Sequence, residues 1–177
     1  MGFGIDETRD FKSINIAVLT VSDTRTVEND TSGDLLVSRV KDAGHTLGDR
    51  ALLRDDKEII RTKVQSWIDD PNIDAVVSTG GTGLTGRDVT VEAVRPLFEK
   101  EIDGFSVVFH MVSFETVGLS TLQSRATAGL ANATFIFCLP GSNGAVKDGW
   151  DKVIKAQLDS RHRPCNMVEL MPRLNEK

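Results

Sequence analysis

The apolar positions of the chain fall into short continuous runs separated by amphipathic stretches. The run "INIAVLTV" (14–21) has strand length and the character of a strand buried on both faces of a parallel sheet. The polar loop "SDTRT" follows. In "TSGDLLVSRVKDAG" (31–44), Leu35, Leu36, Val40 and Ala43 recur at helical spacing, and Gly44 supplies a stop. "HTLGDRALLRDD" reads as a second, more exposed strand. "DKEIIRTKVQSWIDD" sets Ile59, Ile60, Val64, Trp67 and Ile68 on one side of a helix, which Pro71 closes. "DAVVSTGG" is the third strand. This alternation predicts a three-layer α/β/α domain with a mainly parallel sheet.

Beyond the third strand, "VTVEAVRPLFEK" reads as a helix that Pro96 ends or kinks. Residues 104–118, "GFSVVFHMVSFETVG", are apolar almost all round. Phe105, Val108, Phe109 and Val112 form one face, while Val107, Met111 and Phe114 lie off it. A helix wet on one side should not have this pattern, so it is expected to be deeply buried or shared with a second subunit. "ATFIFCLPGSNGAVKDGWDKVIKAQL" repeats the grammar of strand, glycine turn and helix. The ends 1–12 and 170–177 are expected to be flexible, around a single domain.

Ligands of such sheets bind beyond the carboxyl ends of the strands. Four ends are candidates: "SDTR" with Ser22 and Asp23, "RDD" at 54–56, "STGGTG" at 78–83 and "LPGSNG" at 139–144.

Composition narrows the classes. The chain has 177 residues, 40% hydrophobic and 27% charged, with a formal net charge of −5, which argues against a general nucleic-acid binder. Two cysteines, Cys138 in an apolar run and Cys165 in "RHRPCN", show no C-x-x-C spacing. No secretory signal pattern is visible, and Asp6 replaces the Ser or Thr of a myristoylation site. No apolar stretch is read as reaching the ~20 residues of a membrane span. A cytoplasmic protein without membrane or nucleic-acid partners is expected.

The segment "VVSTGGTGLTGRD" (76–88) carries the chemistry. Four glycines follow a strand, where the backbone can approach an anion closely and helix-start N–H groups favour it. Gly81 to Gly86 matches G-x-G-x-x-G, but after the third strand rather than the first. The same residues match G-x-x-x-x-G, with Arg87-Asp88 where a P-loop has Lys-Ser/Thr. The carboxylate of Asp88 would repel an anion. Either it caps the following helix, or it holds a divalent cation between itself and a polyphosphate. Asp55 or Asp56 could be the companion carboxylate. Arg25, Arg87 and Arg125 could form a local basic pocket. His45, His110 and His162 fall outside the candidate loops.

"VVSTGGTGLTGRDVTVEAV" resembles the core motif of the MoaB/MogA family of molybdenum-cofactor proteins. "VLTVSDTR", "ENDTSGDLL", "LPGSNGAVKDGW" and "QLDSRHRPCN" extend the resemblance over nearly the whole chain, the last being similar to MoaB in particular. The resemblance implies a MogA-like fold that binds molybdopterin and adenylylates it with Mg-ATP, releasing pyrophosphate. It implies that Asp55 and Asp88 are the catalytic aspartates and hold Mg²⁺. It places the nucleotide on Thr79, Gly80, Gly81, Thr82 and Gly83. The pterin side falls to Ser124 and Arg125 of "SRATAG", and to Pro140, Gly141, Ser142 and Asn143; the family's frequent second proline in this turn is absent here. It also implies a trimer or a dimer of trimers, a metal-insertion enzyme as partner, and no tightly bound prosthetic group. Two alternatives stand beside it: a non-catalytic molybdopterin-binding or assembly protein, and a nicotinamide or flavin oxidoreductase using the G-x-G-x-x-G match.

Overall fold

A computed structural model describes residues 4–176 of the chain; residues 1–3 and 177 of the expected flexible ends, with the Met-Gly start, lie outside the described residues. A short strand β1 (Gly4–Ile5) precedes the main sheet, which contains β2 (Asn15–Val21), β3 (Thr46–Leu53), β4 (Ala75–Thr79), β5 (Lys100–Glu101), β6 (Thr127–Ala131) and β7 (Thr134–Leu139). Their order is β3-β2-β4-β7-β6-β5. The pairs β2/β3, β2/β4 and β4/β7 are parallel, while β6/β7 and β5/β6 are antiparallel. The last strand, β8 (His162–Arg163), pairs with β1, so the described part of the N-terminal end is tied to the chain.

The sheet sorts its side chains by the period-two rule of strands. Val18, Val77 and Phe137 face one layer, packed with Leu36 and Val40 of α1 (Thr31–Asp42) and Phe105 and Phe109 of α4 (Asp103–Val117). Leu19, Val76 and Ile136 face the other, against Ile60, Val64 and Trp67 of α2 (Lys57–Ile68) and Val94 of α3 (Thr90–Val94). The first layer also takes Val146 of α5 (Asn143–Gly149) and Trp150, where the helix passes through a π-turn (Trp150–Ile154) into α6 (Lys155–Gln157). The three-layer α/β/α fold with a mixed, mainly parallel sheet is therefore the observed one. Cys138 is buried in it, and burial pushes its thiol up to about 11.

Two features differ from the sequence pattern, while the stop at Pro96 follows it. The helix expected over "VTVEAVRPLFEK" lasts only from Thr90 to Val94, because Pro96 opens a 3₁₀ turn (Arg95–Leu97) and the chain then joins the sheet as β5. The strand β6 is unannounced: a two-residue turn, Asn132 and Ala133, both at positive φ (43° and 66°), folds it onto β7. Helix α4 is less buried than its composition suggests. Phe105 and Phe109 lie in the core, but Val107, Met111 and Phe114 are 61%, 65% and 54% exposed. With the 3₁₀ turn that follows it, this segment (Asp103–Gln123) is long and apolar enough to cross a membrane by length and composition, contrary to the sequence expectation. Gly118, at φ +58°, divides it into two helical pieces.

Candidate functional site

Three parallel strands end at one point. The Gly80 N–H, after β4, donates to Leu139 O at the end of β7 (2.9 Å). Gly80 has φ +103°, and a Cβ there would stand 2.1 Å from Val21 O, the end of β2. No side chain fits where these ends meet. Thr79 lies beneath, fully buried, and its hydroxyl donates to Pro140 O (3.0 Å), locking the second glycine turn to the first. Above this floor opens a cleft of about 490 Å³, reached by Ser22, Asp55, Gly81, Asp88, Ser124 and Gly141.

The glycine loop is held from both sides. Gly81 sits at φ +66°, and its carbonyl accepts Thr90 N–H (3.0 Å), while the Thr90 hydroxyl donates to Gly80 O (2.9 Å). Thr82 and Gly83 then line the cleft. The Thr82 hydroxyl is buried, and the residue is 1% exposed; its Oγ1 has no hydrogen-bond partner. Buried polar groups are rarely left so. Arg125 supports the loop from behind. Its N–H donates to Thr82 O (2.9 Å), Nε to Gly83 O (2.8 Å) and Nη2 to Asp88 O (2.9 Å), and it pairs with Glu92. The guanidinium expected beside the pterin is thus engaged in the loop's outer wall.

The two aspartates flank the loop. Asp88 does not cap α3, which starts at Thr90 with Val89 in the cap position and no side-chain cap bond. Its carboxylate reaches backward and accepts the N–H (2.9 Å) and hydroxyl (2.6 Å) of Thr85. Burial acts to raise its pKa, but the Thr85 and Gly83 hydrogen bonds and the charge of Arg125 prevail and hold it below the ordinary range. Asp55 and Asp56 take separate tasks. Asp56 caps α2, accepting Glu58 and Ile59 N–H at 3.0 Å each, while Asp55 borders the cleft. A Cβ on Gly81 would lie 3.0 Å from Asp55 Oδ1. Burial, then the charges of Asp23 and Asp88, raise the Asp55 pKa, with Arg87 opposing.

The remaining candidates divide into wall and support. Ser22 closes the turn after β2, its hydroxyl accepting Thr24 and Arg25 N–H at 3.2 Å each. Asp23 accepts Asp55 N–H (3.2 Å) and pairs with Arg87. Pro140 and Gly141 line the cleft. Ser142 instead caps α5 through Ala145 N–H (3.0 Å), and Asn143 accepts the Thr31 hydroxyl (3.3 Å).

Several contributors were not singled out in the sequence. Arg25, proposed only as part of a basic pocket, donates Nη2 to Gly141 O (2.7 Å) and reaches Asp30 and the Ser32 hydroxyl. Asp30 caps α1 through Gly33 N–H (3.0 Å) and accepts the Thr20 hydroxyl (2.7 Å) and Arg50 (3.0 Å). Its position just before "TSGD" is a capping signal. Ser120 and Gln123, after α4, also reach the cleft. His110 ties α4 to this wall, with Nε2 3.1 Å from Ser124 O.

Among the described residues, no three His, Cys, Asp or Glu side chains are gathered closely enough to hold an ion. The carboxylates of Asp55 and Asp88 are hard oxygen donors, and magnesium commonly takes one or two carboxylates with waters and phosphate oxygens. They fit an ion that arrives with a phosphate ligand.

Residues 17–160 match the family model described as "Probable molybdopterin binding domain". Molybdenum cofactor biosynthesis protein B of Escherichia coli (strain K12) is 48% identical over 157 residues, 89% of this chain and 92% of that protein. The chain belongs to the MoaB family. The MoaB assignment extends to the fold. A crystal structure of a molybdenum cofactor biosynthesis protein B superposes with TM-score 0.85 at 37% identity, covering 96% of this chain and all of that one (100%). The tungsten cofactor synthesizing protein MoaB from Pyrococcus furiosus gives 0.73 at 36% identity, over 80% of this chain and 91% of its own. MoaB-family proteins serve molybdenum cofactor biosynthesis. The G-x-G-x-x-G match of the oxidoreductase alternative lies inside the stretch that matches the family model and follows β4, not the first strand of the sheet.

Proposed function

We propose that the chain binds molybdopterin in this cleft and adenylylates it with Mg-ATP. The observation that carries the reading is the glycine loop between Asp55 and Asp88, with the partnerless Thr82 hydroxyl at its centre. Backbone N–H groups of a glycine loop suit phosphate oxygens. The pterin's phosphate oxygen attacks the α-phosphorus of ATP. The new P–O bond forms as the bond between the α-phosphorus and the bridging oxygen breaks, and pyrophosphate leaves with the electron pair. A phosphate monoester is largely ionised near pH 7, since its second pKa is about 6, so no general base is required. Catalysis is then in-line positioning and charge neutralisation. Asp55 and Asp88 would hold Mg²⁺, which would supply that charge neutralisation. Ser124, Pro140 and Gly141 form the side of the cleft left for the pterin.

Incubation with molybdopterin and Mg-ATP tests this directly, following pyrophosphate and adenylylated pterin. Molybdopterin binding without either product would favour the non-catalytic reading. One observation speaks for that second reading: the Asp88 carboxylate is already satisfied by Thr85 and Gly83.

A further inference from the structure

Arg87 and Asp23 hold each other at the mouth of the cleft. Arg87 stands on the glycine loop and Asp23 on the turn after β2. Nε reaches Oδ2 and Nη2 reaches Oδ1, both at 2.8 Å, so the guanidinium meets the carboxylate in a two-point fork. A phosphate offers a guanidinium the same fork. Asp23 therefore occupies the position that an anionic ligand of the cleft would want. The pair is open to solvent, with side chains 68% and 34% exposed, and exposed pairs of this kind add little to stability. Exchange is cheap. The glycine loop beside the pair, Gly81 to Gly83, lines the cleft, and backbone N–H groups of such a loop suit the same ligand.

Asp23 does more than hold Arg87. Its Oδ1 also accepts the Asp55 N–H at 3.2 Å, so its charge lies beside Asp55. While Arg87 is present, its guanidinium offsets part of that charge. Once Arg87 leaves, the offset is lost.

We propose that the Arg87–Asp23 pair is a latch: an incoming polyphosphate takes the guanidinium from Asp23, and the released carboxylate adds its charge beside Asp55 for the accompanying divalent cation. The proposal rests on the nucleotide reading of the cleft and deepens it. The latch couples the two ligands, and coupling is reciprocal. Polyphosphate tightens the cation, and the cation tightens polyphosphate, without a metal site having to exist beforehand. This agrees with the lack, among the described residues, of a three-carboxylate cluster.

Titration calorimetry with inorganic tripolyphosphate, with and without Mg²⁺, tests the latch in the whole protein. Arg87→Gln should weaken binding about 10-fold or more, as for loss of hydrogen bonds to a charged group. Arg87→Lys, which keeps the charge but loses the fork, should fall between. Asp23→Asn should tighten metal-free binding by about 2- to 5-fold, the scale of an exposed ion pair, and should reduce the gain produced by Mg²⁺. The double variant should bind no better than Arg87→Gln alone. Persistence of the Asp23→Asn gain without Arg87 would mean general charge repulsion and overturn the latch. So would wild-type affinity in Arg87→Gln. A wild type that binds no tripolyphosphate under either condition would remove the nucleotide reading and the latch together.

Discussion

The carboxylate of Asp88 accepts both the backbone N–H and the hydroxyl of Thr85, at 2.9 and 2.6 Å, and so closes the glycine loop on itself from behind. An amide oxygen can accept the same bonds. Asp88→Asn should therefore melt close to the wild type in differential scanning calorimetry. If the carboxylate also neutralises charge in the transition state, pyrophosphate release should fall on the order of 10²–10³-fold. Asp55→Asn should lose a similar amount, and the double variant little more, because both groups would act through one ion. Full turnover in Asp88→Asn would leave loop closure as its whole task.

Asp55 carries a charge that its surroundings disfavour. Its raised pKa, from burial and then from Asp23 and Asp88, means that the folded state holds the proton more tightly than the unfolded chain. A raised carboxyl costs stability above its folded pKa, and the cost disappears as pH falls to the unfolded value near 3.8. Asp55→Asn should thus be more stable than the wild type at neutral pH. The gain should appear as a higher melting midpoint in calorimetry at pH 7. The difference should vanish near and below pH 3.8; a variant less stable than wild type at pH 7 would contradict it.

Asp30 has the opposite sign. Burial alone would push its pKa up, but Thr20, Arg50 and Gly33 hold it below the ordinary range. Its contribution is complete above the unfolded pKa and is lost as pH falls through the folded one. Asp30→Ala leaves Arg25 and Arg50 without this partner and should cost about 3 kcal/mol in urea unfolding at pH 7, with a smaller penalty in acid.

The outer face of α4 should bring copies of the chain together. Val107, Met111 and Phe114 follow helical spacing on the exposed side, and such patches mark interaction surfaces. Light scattering should give a mass that is a multiple of 19.3 kDa. Met111→Asp or Phe114→Asp should reduce it towards the monomer. Phe109→Asp, by contrast, should unfold the domain, since Phe109 is fully buried.

Arg125→Ala should act through the loop. Losing the bonds to Gly83 O and Asp88 O should weaken Mg-ATP binding more than molybdopterin binding in calorimetry, with a cost of about 1.5–3 kcal/mol. The reverse ranking would place its guanidinium at the pterin.

Much of the fold was legible because burial wrote it in long apolar runs. Strands β2, β4 and β7 each sit between two helix layers, so nearly every residue is apolar or a buried hydroxyl. Strand β6 was hidden for a physical reason. A Cβ on Gly129 would stand 2.2 Å from the Phe98 ring, so the centre of the strand needs glycine, and with Ala128 and Ala131 beside it "TAGLA" does not read as a β-branched apolar run. Its turn also uses Ala133 at φ 66°, where Asn-Gly would have announced a hairpin. In the cleft, the glycine loop and Asp55 were visible as residue types at strand ends. The backward bond of Asp88 and the rearward bonds of Arg125 depend on contacts across 3 and 42 residues. Spacing shows which groups are near in sequence, not which way they turn.

The meeting of Val21, Gly80 and Leu139 leaves the cleft with a base that has no slack. Interiors packed this closely resist compression. A ligand therefore finds a receptor already assembled at its centre, and little ordering of the protein has to accompany its arrival. Any adaptation to different ligands falls to the rim, where Arg87 and the segment around Ser124 are free of that constraint.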